Sequence, residues 1–289
     1  MQTYKSIWNA LTDVAFEQGW IDAAGIRTRY AHAGRKGRPV VLMLHGTAGS
    51  WENFAENLGP LSKHFDCYAI DMVGCGFSDK PDLPFETPVY ARHARDFLDA
   101  IGADRAHVIG CSLGGWVGAR LAVTYPERVA SLTMVSAAGY LSDASNMSRI
   151  KSQRTKAVDE PTWDNVKQIF NNLIHDEKNR IPDIVAVRQR VYQLPEMARA
   201  MHNILCLQDP DVRARNVLGD DEWESIEAPA LVIGSLEDKD TYLATARAVS
   251  KLMPHARYAE MADVGHWPQF EDPATFNRLF LQFMGEITQ

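Results

Sequence analysis

The sequence predicts an α/β protein, a mostly parallel central sheet with helices on both faces and an inserted helical cap. Three observations predict it. Short apolar segments bounded by Gly and Pro alternate with longer segments of helical spacing, the pattern of parallel strands covered on both faces. A serine stands between glycines where one apolar segment meets a helix, in Gly110-Cys111-Ser112-Leu113-Gly114-Gly115. Between about residues 137 and 223 the alternation stops and only helical spacing is seen.

Taken in order, residues 25–32 and 39–44 read as strands and 51–63 as a helix. Residues 66–71 form a strand into the turn Gly74-Cys75-Gly76-Phe77-Ser78. Helical spacing over 88–101 leads to a buried strand at 106–109, and behind Ser112 the small and apolar residues 116–125 form a helix stopped by Pro126. A strand at 129–135 precedes the helical stretch, in which 162–173, 182–192 and 195–207 are punctuated by Pro or Gly. Strands at 230–233 and 256–260 complete the sheet before a C-terminal helix. The expected organisation is one core, residues 1–136 and 224–289, with residues 137–223 as a cap inserted between two strands. Such a lid excludes water and lines a pocket at the carboxyl ends of the strands.

The chemistry-bearing residues follow from the serine. Gly110-Cys111-Ser112-Leu113-Gly114 is a G-x-S-x-G pattern at a strand-to-helix turn. So sharp a turn holds the serine at strained backbone angles, and the residues two before and two after must be small or their Cβ atoms would collide. A serine hydroxyl is a poor nucleophile until a base takes its proton and a third group orients that base. Of nine histidines, His266 lies in a suitable loop, Asp263-Val264-Gly265-His266-Trp267-Pro268, ahead of the C-terminal helix. The apolar run Ala230-Leu231-Val232-Ile233 enters an acidic turn holding Glu237, Asp238 and Asp240. His45 falls in the Gly-rich turn His45-Gly46-Thr47-Ala48-Gly49-Ser50.

These ordered motifs, from His45-Gly46 through Asp71 and Gly74 to Ser78, the serine turn, the acidic turn and Gly265-His266, resemble the α/β-hydrolase family over nearly the full chain. The resemblance implies a triad in the order Ser112, acid, His266. With Leu231-Val232-Ile233 on the family's usual strand, Asp238 takes the acid position; alignment on Gly234 would select Glu237, and Asp240 reads as a solvated turn residue. It also implies two backbone N–H groups aimed at a developing oxyanion, those of Leu113 and Thr47. A serine at the nucleophile position argues against the aspartate-nucleophile dehalogenases and epoxide hydrolases.

Gly265-His266-Trp267-Pro268-Gln269-Phe270-Glu271, Phe276-Asn277 and Trp51-Glu52-Asn53-Phe54 are similar to the meta-cleavage product hydrolases, which split a carbon–carbon bond in vinylogous diketo acids from aromatic ring fission. In that family a cap arginine binds the substrate carboxylate and a tryptophan follows the catalytic histidine. Trp267 matches the tryptophan, and Arg188 matches the arginine, with Arg190 close behind. Asn53 and Cys111 complete the substrate-binding candidates the resemblance implies. The chain departs from the family in having Cys111 where Asn is common, and in the short loop Thr47-Ala48-Gly49-Ser50. An ester or lactone would not need the missing amide. The expected activity is therefore a cofactor-independent serine hydrolase acting on such a C–C bond, Ser112 serving as nucleophile or base. The alternatives are a carboxylesterase or lactonase, and a ligand receptor on the same scaffold.

Composition narrows the remaining classes. At 46% hydrophobic and 23% charged residues the chain reads as an ordinary globular enzyme, and its net charge of −7 argues against a nucleic-acid or anionic-membrane surface. Residues 1–20 lack the features of a signal peptide, and no stretch approaches the roughly 20 apolar residues of a membrane span, so cytoplasmic residence is expected. Cysteines 67, 75, 111 and 206 have neither C-x-x-C spacing nor zinc-ligand company and read as reduced, mostly buried thiols. Neither metal nor cofactor is expected; the partner is a small-molecule substrate, with a homodimer or larger homo-oligomer allowed for.

Overall fold

The computed structural model describes residues 5–238 and 241–287; Asp240 lies outside them. Helix α1 (Ile7–Leu11) precedes a hairpin of β1 (Phe16–Ala23) and β2 (Ile26–Ala33). Ala24 and Gly25 turn it at φ 53° and 87°. Strand β3 (Val40–Leu44), helix α2 (Ala55–Ser62), strand β4 (Asp66–Ile70) and helix α3 (Thr87–Ala100) follow. Then come β5 (Ala106–Cys111), α4 (Leu113–Thr124) and β6 (Val129–Val135). Between β6 and the next strand the chain runs through helices alone: α5 (Ala144–Asp159), α6 (Trp163–Leu173), α7 (Pro182–Tyr192), α8 (Met197–Ile204), α9 (Pro210–Ala214) and α10 (Asp220–Glu224). Strand β7 (Ala230–Ser235), α11 (Tyr242–Leu252), β8 (Ala256–Met261), α12 (Pro268–Glu271) and α13 (Pro273–Ile287) complete it.

The strands form one sheet in the order β1-β2-β4-β3-β5-β6-β7-β8. β1 and β2, and β2 and β4, pair antiparallel; every pairing from β4 to β8 is parallel. β5, β6 and β7 are apolar and almost wholly buried, as strands covered by helices on both faces must be. Register pairs Leu44 with Gly110 and Cys111 with Val135, so the loops after β3, β5 and β6 leave the sheet side by side. The turn after β4 is held by Asp71, which accepts from Trp51 N–H, Phe77 N–H and Arg29. A Cβ on Gly76 would lie 2.1 Å from the Asp71 carboxylate, so only glycine fits there.

Three readings of the sequence need correction. Strand β1 was not expected, because Phe-Glu-Gln-Gly-Trp-Ile-Asp-Ala fully buries only its last residue and owes its strand geometry to the hairpin with β2. The helix expected at 51–63 begins as a 3₁₀ turn, Trp51–Phe54, and becomes α-helical only from Ala55. The helix expected at 195–207 is α8 followed by the 3₁₀ turn Leu205–Gln208. α5, α9, α10 and α11 also went unread; α5 is so polar that its only buried residues are Asn146, Arg154, Ala157 and Val158. Among the described residues no helix is long and apolar enough to cross a membrane.

Candidate active site

Ser112 sits between β5 and α4 at φ 55°, ψ −117°, a conformation L-residues avoid. Neighbouring backbone holds it there. Its N–H donates to Val135 O at 2.9 Å, and its carbonyl accepts from Gly115 N–H at 3.0 Å and Ala138 N–H at 3.2 Å. A Cβ on Gly110 would lie 2.2 Å from Gly114 O, and one on Gly114 would lie 2.0 Å from Leu44 O. The two glycines are the steric condition for the turn.

His266 reaches the same place from the loop after β8. Its Nδ1 lies 2.9 Å from Asp238 Oδ2; a carboxylate can only accept, so Nδ1 carries the proton and Nε2 is left to take another. Glu237, the competing carboxylate, is exposed. The Tyr242 ring packs on the imidazole with centroids 4.2 Å apart. The loop is tied to the helices between β6 and β7. His266 N–H donates to Leu173 O at 2.8 Å, while Glu271 accepts from Gly265 N–H at 2.8 Å and from the N–H groups of His175 and Asp176.

His45 has a different task from His266. Met72 N–H donates to its Nε2 at 3.0 Å, so the ring proton is on Nδ1 and is given to Gly46 O at 2.7 Å. This pins the loop that presents Thr47, and Gly49 N–H closes the turn on Gly46 O at 3.0 Å. Burial pushes His45 down to about 4. His93 is likewise buried, accepting from Val73 N–H and contacting Thr28 Oγ1, and burial pushes it to about 3. Both rings resist protonation when folded but take protons near their ordinary value when unfolded. They leave stability untouched above about pH 6.5 and subtract from it as pH falls below that value, by about 3 kcal/mol each at pH 4. Urea midpoints between pH 7 and 4 should fall accordingly, and His93→Gln should flatten the slope; parallel slopes would refute this assignment.

The structure brings most of the predicted residues together. Thr47, Asn53, Ser112, Arg188, Asp238, His266 and Trp267 line one cavity. Leu113 lines a second lobe that meets the first at Ser112. Its N–H is the first of α4 and has no acceptor within the helix, so it stands free at the positive end of the helix dipole. Asn53 is buried with its Nδ2 unpartnered. Arg188 is buried over Phe170 and Tyr192, 5.5 and 5.7 Å from the ring centroids, and donates to Tyr192 Oη at 3.4 Å. Arg190 is exposed. Trp267 packs edge-on against Phe170 and Phe270.

Cys111 is the exception. Fully buried, it is absent from the cavity wall, and its thiol lies beneath the histidine loop, Sγ 3.6 Å from His266 O. The expected substrate contact is corrected to a backbone support. Side chains alternate sides along a strand, so the residue before Ser112 points away from what Ser112 faces.

Sequence reasoning missed Arg154. It lies buried on α5, lines the cavity and has Nε unpartnered, and burial pushes it down to about 10. Among the described residues, neither Arg154 nor Arg188 is paired with a carboxylate. The signal was its spacing. Arg154 follows Ile150 by one helical turn and precedes Ala157 and Val158 by another, an inward stripe rather than a solvated face.

Comparison with known proteins gives the family. The model of the alpha/beta hydrolase fold family matches residues 39–273. A 2-hydroxy-6-oxononadienedioate/2-hydroxy-6-oxononatrienedioate hydrolase of Comamonas testosteroni is 30% identical over 254 residues, covering 85% of this chain and 87% of that protein. A 2-hydroxy-6-oxo-6-phenylhexa-2,4-dienoate hydrolase of Burkholderia cepacia is 28% identical over 256 residues, covering 85% and 87%. The crystal structure of a meta-cleavage product hydrolase superposes with a TM-score of 0.81 at 25% identity, covering 93% of this chain and 98% of that one. The ordered motifs, the sheet and these matches converge: the chain belongs to the α/β-hydrolase fold family and is a hydrolase, similar to the meta-cleavage product hydrolases.

Proposed function

We propose that this enzyme is a cofactor-independent serine hydrolase that cleaves the carbon–carbon bond of a vinylogous diketo acid from aromatic ring fission. The observation that carries the reading is the pair of buried guanidiniums, Arg154 and Arg188, in the cavity of Ser112 and His266 without a carboxylate partner among the described residues. Buried unpaired charge is costly, and a substrate carboxylate supplies the missing anion in a geometry a guanidinium holds well. A neutral ester would leave both cations uncompensated.

In this reading Ser112 carries the reacting hydroxyl, His266 Nε2 takes and returns its proton, and Asp238 orients the imidazole. The N–H groups of Leu113 and Thr47 stabilise the oxyanion where charge develops. Arg188 binds the carboxylate, Asn53 offers its free Nδ2 to a substrate oxygen, and Trp267 forms an apolar wall. Hydrolysis places a hydroxyl on the ketone carbon and a hydrogen on the carbon it leaves. Residues 137–223 act as the cap, bringing Arg154 and Arg188 over the serine.

The alternative reading is an esterase or lactonase with the same residues; the side chain at position 111, turned beneath the histidine loop, does not bear on the choice. Specificity constants on vinylogous diketo acids, aryl esters and lactones decide between them. The diketo acids should be preferred by at least about tenfold, and faster turnover of esters than of any diketo acid would overturn the C–C reading. The triad is tested separately. Asp238→Asn, which presents the wrong tautomer of His266, should lower turnover on the order of 10⁴-fold, and Glu237→Gln less than about threefold; the reverse ranking would move the acid to Glu237.

A further inference from the structure

The helix that carries Arg188 is joined to the core from outside the cavity. Residues 5–7 lead into α1, whose Ile7 and Leu11 are buried and which packs against α2, and they bond across to the start of α7. The N-cap residue of α7, Ile181, offers no side-chain cap, and Asp183 in its first turn is engaged elsewhere. Asp183 Oδ2 accepts from the Ser6 hydroxyl at 2.5 Å and from Ile7 N–H at 2.9 Å. Lys5 makes the same bridge one residue earlier. Its Nζ donates to Asn179 Oδ1, just ahead of α7, at 2.9 Å, and to Phe270 O at 2.8 Å in α12, the helix that follows His266 and Trp267 directly. Asn179, 4% exposed, extends the tie, its Nδ2 donating to Glu271 O at 3.4 Å. Among its neighbouring helices α7 packs on α6 and α8. Three consecutive residues therefore bond both to the helix of Arg188 and to the turn after His266.

A substrate held by its carboxylate at Arg188 and by its ketone at Ser112 and His266 is fixed at two points. The spacing between those points sets how well the carbonyl meets the serine, and a displacement of about 1 Å can cost on the order of 10²-fold in rate. Arg188 follows Asp183 on the same helix at about 7.5 Å along its axis, so a shift at Asp183 reaches the guanidinium. We propose that residues 5–7 are a strap that fixes α7 relative to His266, and that Asp183 is a positioning residue for Arg188, acting through the helix and not on the substrate. The proposal rests on the C–C reading for the role of Arg188. A neutral ester, gripped at the serine alone, makes no use of that spacing.

The full chain carrying Asp183→Ala, Asp183→Asn, or Asp183→Ala together with Arg188→Ala tests it, by steady-state kinetics on a vinylogous diketo acid and a neutral aryl ester and by hydrogen exchange over residues 182–192. Asp183→Ala should lower kcat on the diketo acid about tenfold with KM within about twofold, because the guanidinium is present but displaced, and should change neither constant on the ester by more than about twofold. Asp183→Asn keeps an oxygen for the two donors and should recover most of that loss. Once Arg188 is alanine, Asp183→Ala should cost less than about twofold more, since the two residues act as a unit. The amides of α7 should exchange faster in Asp183→Ala whatever the substrate. An equal loss on both substrates, or a loss that adds in full to that of Arg188→Ala, would mean that Asp183 serves stability alone and overturns the proposal, as would an unchanged kcat on the diketo acid. If Asp183→Ala fails to fold, Ser6→Ala, which removes one donor from outside α7, should show the same pattern at about threefold; an unchanged kcat there overturns the proposal. Should the wild type turn over esters and no diketo acid, the C–C reading falls and exchange decides: faster exchange in α7 retains the strap, and unchanged exchange overturns it.

Discussion

Ser112→Ala is expected to lower turnover by on the order of 10⁴-fold or more while leaving the fold and ligand binding close to those of the wild type. The contacts that hold the turn, to Val135 O and from Gly115 and Ala138, are all made by the Ser112 backbone, so removing Oγ leaves them in place. Alanine also has no larger side chain to fit at φ 55° than serine does. The loss should therefore fall on the chemical step and spare binding. Steady-state kinetics with calorimetric binding of a diketo acid would check both halves, and a variant retaining more than about a tenth of wild-type turnover would remove Ser112 from the mechanism.

The second large effect is a split between substrates. Arg188→Ala should raise KM and lower kcat on vinylogous diketo acids, together by about 10²-fold, because a buried carboxylate deprived of its partner costs on the order of 3 kcal/mol. Neutral aryl esters have no charge to compensate, so their kcat/KM should change far less. Arg190→Ala, at an exposed position on the same helix, serves as the control and should alter neither substrate class by more than about twofold. Arg154 keeps a second cation in the same lobe, so Arg188→Ala should stop short of abolishing recognition, and adding Arg154→Ala should deepen the loss. Equal effects of Arg188→Ala on charged and neutral substrates would show that the arginine only shapes the wall.

What could be read from the sequence was whatever local chemistry dictates. β3, β5, β6 and β7 are apolar because both their faces are covered, and the glycines around Ser112 are required by distances of about two ångströms to backbone oxygens. The loop Gly265-His266-Trp267 could be singled out because its glycine and histidine act through their own backbone and ring. What could not be read depends on packing between distant segments. β1 is a strand because β2 lies beside it, and Arg213 is buried because of where α9 is set down, though it looks like an ordinary surface charge in a polar helix. Cys111 was misassigned for the opposite reason. Its neighbour in sequence, Ser112, lines the cavity, but a strand turns adjacent side chains to opposite sides.

The tie between the His266 loop and the residues after α6 bears on what can be recombined. The proposed proton acceptor is anchored on the end of α6 and the residues just after it, between the helices that carry Arg154 and Arg188, through Leu173 O and the N–H groups that Glu271 gathers. Helices grafted from a relative between β6 and β7 would have to bring a carbonyl for His266 N–H and two N–H groups for Glu271. On the proposed roles, a graft chosen only for its pocket would change the substrate range and unseat the base in one stroke, so specificity and catalytic competence would be inherited as a single block.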